Sequence, residues 1–226
     1  AAVYYVLRVQ HGWPTPAAAI VAVLVVSPLI GVLLYFAVYR YLRGAPPVAR
    51  LAVSIGLLVA LPEIARVVLR FGNSPLDGVE GVVGNGETPY HFSSYVIDRD
   101  HLATIIATFA LVVGLTLMFR YTMIGLRMRA VVESPRMAEL NGIAADRVST
   151  LSWALSSLLA GTAGVLIAPR FNTLAAGDFF HLMVVAVAAA ALGSLTSLPR
   201  ALAGGLGLGI LIAEITTFLP RWSAHA

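Results

Sequence analysis

Long apolar runs alternate with short polar interruptions along almost the whole chain. Six apolar stretches stand out: residues 17–39, 51–69, 102–119, 148–168, 182–192 and 201–219. A helix crosses the hydrocarbon core with about 20 apolar residues, and five of the six come close to or exceed that length. Residues 182–192 are shorter and read as a half-span or a tilted helix. Residues 1–10 are also apolar and read as the end of a span that begins before Ala1. The pattern predicts an all-α, polytopic transmembrane helix bundle of about six spans, forming a single transmembrane domain over residues 1–226, truncated at both ends. Pro28 falls inside the first span and predicts a kink. Pro62 falls inside the second and predicts a break.

Charge settles which polar turns lie on which side. Only 12% of residues are charged, about half the share in soluble domains. All fifteen basic residues are arginines. Arg40, Arg43 and Arg50 occupy the first turn with no acid. Arg120, Arg127, Arg129, Arg136 and Arg147 occupy the central one, and Arg200 lies between the last two apolar runs. Basic turns stay in the cytoplasm. Residues 71–101 carry Asp77, Glu80, Glu87, Asp98 and Asp100 against Arg99, which places them outside, together with residues 169–181. The basic balance is therefore a topology signal and does not point to nucleic acid. Without cysteine, disulfides, thiol nucleophiles and thiolate metal sites are excluded.

The stretch from Arg120 to Gly142 is the most informative interruption. Ser134 can accept the free N–H groups of a first helical turn, and Pro135 suits the first helical position. Asn141-Gly142 supplies a stop, because glycine enters the left-handed region cheaply. A helix over Pro135–Leu140 is predicted, lying between two spans on the basic side, where it can dock a soluble partner.

Chemistry beyond this is sparse. Glu63 and Arg66 share a helix face and read as a pair at the interface. Glu214 sits towards the far end of the last run, facing either a pathway or the interface. His91 and His101 follow no metal-ligand spacing. Ser194 and His181 lie on opposite sides of the predicted membrane, and no G-x-S-x-G, H-E-x-x-H or Walker loop occurs. No catalytic residue, metal or cofactor is predicted. Gly161 and Gly164, and the pair Gly205 and Gly209, let helix backbones approach closely in lipid. A transport pathway driven from outside the chain suits this profile. An ion-coupled secondary transporter is the alternative, since Pro28, Pro62 and Glu63 suit broken helices around an ion site. A membrane enzyme and a purely structural subunit complete the range.

The central run resembles a known family. Gly125, Arg127, Arg129, Ala130 and Glu133, then the stretch from Met137 to Ile143, then Asp146-Arg147-Val148 are similar to the cytoplasmic loop of permeases of branched-chain amino acid ABC transporters. Ala160-Gly161 with Gly164, and Leu192-Gly193 followed by Pro199, Ala201 and Gly204-Gly205, resemble the same family downstream. Ser194, Thr196 and Arg200 depart from its glycine-rich pattern. The likeness covers residues 37–60 and 120–210. It implies a permease subunit, multi-pass in the bacterial cytoplasmic membrane, for branched-chain or related amino acids. The implied partners are two ATP-binding subunits, a second permease subunit and a periplasmic or lipid-anchored substrate-binding protein. The Pro135–Leu140 helix would be the coupling helix. Gly125, Arg129, Ala130, Glu133, Ala138, Glu139 and Gly142 would serve coupling to the ATPase: Arg129 and Glu133 by charge, Ala138 by close contact, Gly142 by the exit turn. Gly161, Gly164, Gly193, Gly205 and Gly209 would serve helix packing or line the pathway.

Overall fold

A computed structural model describes residues 2–42, 44–68, 76–77, 90–92, 95–97, 99–170, 173–174, 176–193 and 197–218. In chain order the helices are α1 (Ala2–Tyr5), α2 (Thr15–Ile20), α3 (Ser27–Leu34), α4 (Pro47–Val68), α5 (Arg99–Tyr121), α6 (Met123–Glu133), α7 (Pro135–Leu140), α8 (Ala145–Ile167), α9 (Ala176–Leu192) and α10 (Leu198–Phe218). Among the described residues, five helical stretches are long and apolar enough to cross a membrane: Thr15–Tyr39, Val48–Ala65, Leu102–Tyr121, Ala145–Ile167 and Leu198–Ile215, with Leu182–Leu192 as a shorter one. The all-α polytopic architecture thus stands. Among the described residues, two small antiparallel ribbons accompany it, β1 (Leu76–Asp77) on β4 (Thr173–Leu174) and β2 (Tyr90–Phe92) on β3 (Tyr95–Ile97). They fall in stretches expected to be loops.

The first span stays helical through Pro28 by changing its winding. Its α-helical pieces α2 and α3 are joined by a π-helical stretch, Val21–Val26, and α3 continues into another, Tyr35–Tyr39. Proline lacks an N–H and its ring crowds the carbonyl four residues back. Just before Pro28, the Ser27 N–H reaches back five residues to the Ala22 carbonyl, which also accepts the Ser27 hydroxyl at 2.8 Å. The wider turn makes room that a regular helix lacks. Pro62 corrects the expectation of a break: α4 runs unbroken from Pro47 to Val68 with Pro62 inside it. In lipid every backbone group freed by leaving the helix costs several kcal/mol, so one missing bond is the cheaper option.

Two other bounds shift. Helix α9 starts at Ala176, six residues before the apolar run, and α10 starts at Leu198, so the connection between them is short. Helix α6 was not predicted at all.

The chain divides into two compact units. The first joins Ala1–Ala107 with Phe119–Leu174. Its seam is the antiparallel crossing of α3 and α8. Ser27 and Gly31 are four residues apart on one helix, Ser157 and Gly161 four apart on the other. A Cβ built on Gly31 would lie 2.5 Å from both the Ser157 Oγ and the Trp153 carbonyl, and one built on Gly161 would lie 2.6 Å from the Ser27 Cβ. Each helix therefore sets a glycine against the other's serine, and the backbones close together. Tyr4, Ala18, Ala22, Tyr35, Val165 and Ala168 are buried in this unit.

The second unit joins Thr108–Met118 with Ala175–Ala226. Here α9 and α10 pack through small residues. A Cβ on Gly193 would lie 2.5 Å from the Ala201 nitrogen, and one on Gly204 would lie 2.8 Å from the Ala189 carbonyl oxygen. Leu115 is buried. Gly193, Ala201 and Gly204 carry this close packing beside the departure at Arg200; those at Ser194 and Thr196 lie outside the described residues.

Candidate functional site

The connection between α5 and α8 folds into a small knob of two helices. Thr122 leaves the helical region (φ −102°, ψ 152°), and its hydroxyl accepts the Gly125 N–H at 3.3 Å, capping α6. This cap was the signal in the sequence for α6: a threonine after an apolar run, with a donor three residues on. The same kind of device then turns the corner. Ser134 is extended (φ −155°, ψ 98°) and serves two helices at once. Its N–H closes α6 on the Ala130 carbonyl at 3.1 Å, and its Oγ accepts the Met137 N–H at 3.4 Å to open α7. Pro135 takes the first helical position.

The exit is equally well specified. Gly142 has φ +78°. Its N–H bonds the Glu139 carbonyl at 2.9 Å, and the Ile143 N–H bonds the Ala138 carbonyl at 3.0 Å. These two crossing bonds form the Schellman stop, which requires a left-handed residue at this position. Asn141 adds a third tie, its side-chain amide donating to the Met137 carbonyl at 2.8 Å. Only Asn141 to Ala144 separate α7 from α8, and they are held by backbone bonds.

Inside the knob, α6 packs on α7 and α8. Gly125 and Met128 on α6, Ala138 on α7 and Ala145 on α8 are buried. Ala138, at 4% exposure, therefore makes its close contact within the knob and is not on its surface. Arg129 also turns inward to the chain: its guanidinium donates to the Phe119 carbonyl. That carbonyl lies in the last turn of α5, where acceptors lack helical partners and a positive charge is favourable. Ala130 is half-buried, and Glu133 and Glu139 are exposed. The outer face presents Val132 at 84%, Met137 at 62% and Leu140 at 77% exposure, interleaved with Arg136 and the two glutamates. No motif singled out these three apolar residues.

Residues 1–224 match the family described as branched-chain amino acid transport system, permease component. The chain belongs to that family. It is 29% identical to the high-affinity branched-chain amino acid transport system permease protein LivH of Escherichia coli K12, over 94% of this chain and 69% of that protein. It is 27% identical to the corresponding permease protein BraD of Pseudomonas aeruginosa, over 85% of this chain and 62% of that one. No solved structure matches the chain.

Elsewhere in this permease the singled-out glycines have distinct surroundings. Gly161 meets Ser27 at the α3–α8 seam. Gly164 is half-buried, and its carbonyl accepts the Ala168 N–H. Gly193 abuts the Ala201 backbone. A Cβ on Gly205 would lie 3.7 Å from the Ala189 Cβ, whereas around Gly209 nothing comes within 4 Å. The Gly205 and Gly209 spacing is thus less telling than Gly204, which makes the closer approach. Glu63 and Glu214 are exposed on their helices. Among the described residues, no three His, Cys, Asp or Glu side chains converge on a point. Arg43, Arg70 and Ser194, and the side chains of Arg66, His91, His101 and His181, lie outside the described residues.

Proposed function

We propose that this chain is the membrane-embedded subunit of an ATP-driven importer for branched-chain or related amino acids, in the cytoplasmic membrane of a bacterium. It works with two ATP-binding subunits, a second permease subunit and a substrate-binding protein on the outer side. Residues 1–226 act as one permease domain, and α7 is the coupling helix. The chain performs no hydrolysis itself; the force comes from the ATP-binding subunits.

One observation carries this reading. In the arginine-rich connection between α5 and α8, α6 and α7 expose Val132, Met137 and Leu140, and the arginines would keep this connection in cytoplasmic water. Burying a side chain of this size contributes about 1.5–3 kcal/mol. An amphipathic helix with apolar anchors and a charged rim fits a groove in a soluble partner. Arg136, Glu133 and Glu139 supply the rim and set the register. The Arg129 bond to α5 and the Gly142 stop fix the knob to the spans on either side, so a push on α7 reaches both.

The test is a paired variant, Met137→Asp with Leu140→Asp, in the assembled transporter. It is expected to insert normally, to lose the ATP-binding subunits on purification, and to lose ATP-dependent uptake by about tenfold or more, which corresponds to ~1.4 kcal/mol or more of docking free energy. Wild-type retention of those subunits overturns the reading. Uptake that collapses with the proton gradient and survives loss of the ATP-binding subunits would establish the secondary transporter in its place.

A further inference from the structure

We propose that Tyr35 and Asp146 form the clasp through which motion of α7 reaches the first span, making that span and α8 one moving body. This rests on the reading of α7 as the coupling helix. The Tyr35 hydroxyl donates to the Asp146 Oδ1 at 2.9 Å, joining residues 111 apart in sequence. Tyr35 is 2% exposed, so its ring is fixed by its surroundings. Asp146 lies in the first turn of α8, directly after the short exit from α7. The Schellman bonds, Gly142 and the Asn141 side chain leave little slack between α7 and that carboxylate.

Along α8 the clasp comes first after α7 among the contacts described. About two turns further along α8, the Trp153 ring lies 4.0 Å from that of Tyr39. Deeper still, Gly31 meets Ser157 and Gly161 meets Ser27. Among these, Tyr35 to Asp146 is the hydrogen bond, of ordinary length and directional, so it holds the two helices at one register. The glycine–serine contacts resist approach of the two helices. At the α7 end the hydrogen bond and the Tyr39–Trp153 ring contact resist their separation, and the hydrogen bond is the directional one. Without it, α8 can swing at its lower end while the first span stays behind. Tyr35 also opens a π-helical turn, the Arg40 N–H reaching back to its carbonyl at 2.8 Å. Such turns recur where helices must adjust in function.

The experiment measures amino acid transported per ATP hydrolysed by the complete transporter in proteoliposomes. Tyr35→Phe removes only the hydroxyl. It is expected to lower that ratio by about fivefold or more, the lower end of typical coupling between sites, while the ATP-binding subunits stay bound. Asp146→Ala is expected to do the same, and it probes the clasp from an exposed position if Tyr35→Phe does not accumulate. Asp146→Asn loses the charge but keeps an acceptor for the tyrosine, and is expected to lower the ratio less than Asp146→Ala does. An asparagine variant as impaired as the alanine variant would show that the charge and not the hydrogen bond matters, and would overturn the clasp. The double variant Tyr35→Phe with Asp146→Ala is expected to be no worse than either single one, the signature of a shared interaction. A wild-type ratio in Tyr35→Phe or Asp146→Ala overturns the clasp. If Met137→Asp with Leu140→Asp loses the ATP-binding subunits while Tyr35→Phe transports normally, the clasp fails and the coupling helix stands. If the Met137 and Leu140 variant keeps them, the coupling reading itself has failed.

Discussion

Gly31→Leu is expected to leave almost no folded permease in the membrane. Even a single added Cβ would lie 2.5 Å from the Trp153 carbonyl oxygen and 2.8 Å from the Ser157 Cβ. The carbonyl belongs to the backbone of α8 and cannot rotate away, so the helices must part. Overpacking of this kind costs typically about 1–3 kcal/mol, and more when a large side chain is forced in. The damage spreads, because parting α3 from α8 also opens the Tyr39–Trp153 contact and the Tyr35–Asp146 bond. Measured against a total stability of roughly 5–15 kcal/mol, losing the seam of the first unit is severe. Gly56→Ala in α4 is the control, since nothing lies within 4 Å of that site. There the exchange should be neutral or stabilising by up to ~1 kcal/mol, from helix propensity alone. Fluorescence-detected size exclusion of tagged permease in detergent reads both. A monodisperse Gly31→Leu peak of wild-type height would show that the seam is not where the first unit is held.

Gly142→Val acts by a different route. No atom lies within 4 Å of a Cβ at Gly142, so sterics with neighbours play no part. The cost is backbone strain: φ is +78°, and an L-residue there loses roughly 1–2 kcal/mol, more with a β-branched side chain. Rather than bear it, the exit turn will rearrange and give up the Schellman bonds from Gly142 and Ile143. Helix α7 then stays attached but loses its fixed angle to α8. Uptake is expected to fall by about tenfold, equivalent to ~1.4 kcal/mol of lost coupling. ATP hydrolysis in the same vesicles should continue. Gly142→Asn should retain most uptake, because asparagine tolerates the left-handed region. Equal uptake in the valine variant and the wild type would count against a lever fixed by this turn.

Much of this was legible in advance. The spans could be read because a bilayer demands about 20 apolar residues in a row, a demand that any stretch meets or fails by itself. Helix α7 could be read to its last residue because Ser134, Pro135 and Gly142 act within a few positions of where they stand. Helix α6 was missed although its Thr122 cap is equally local, since the arginines around it resembled a polar loop. Pro62 misled because proline's local penalty was weighed without the larger cost of breaking a helix in lipid. The glycine pair at 205 and 209 matched a packing spacing, yet spacing cannot say which face meets a neighbour.

The amino-acid order by itself determined that this is a multi-span membrane protein, with a capped helix on its basic side. Those are properties of short windows, governed by solvent transfer and backbone geometry. The tertiary structure alone decided that Ser27 and Gly31 meet Ser157 and Gly161, that Arg129 turns back to α5, that Ala138 faces inward, and that Tyr35 grips Asp146. Most of these are meetings of residues far apart along the chain. In lipid no hydrophobic force distinguishes one apolar helix face from another, so the pairing rests on shape and on a few polar groups that only the folded chain brings together.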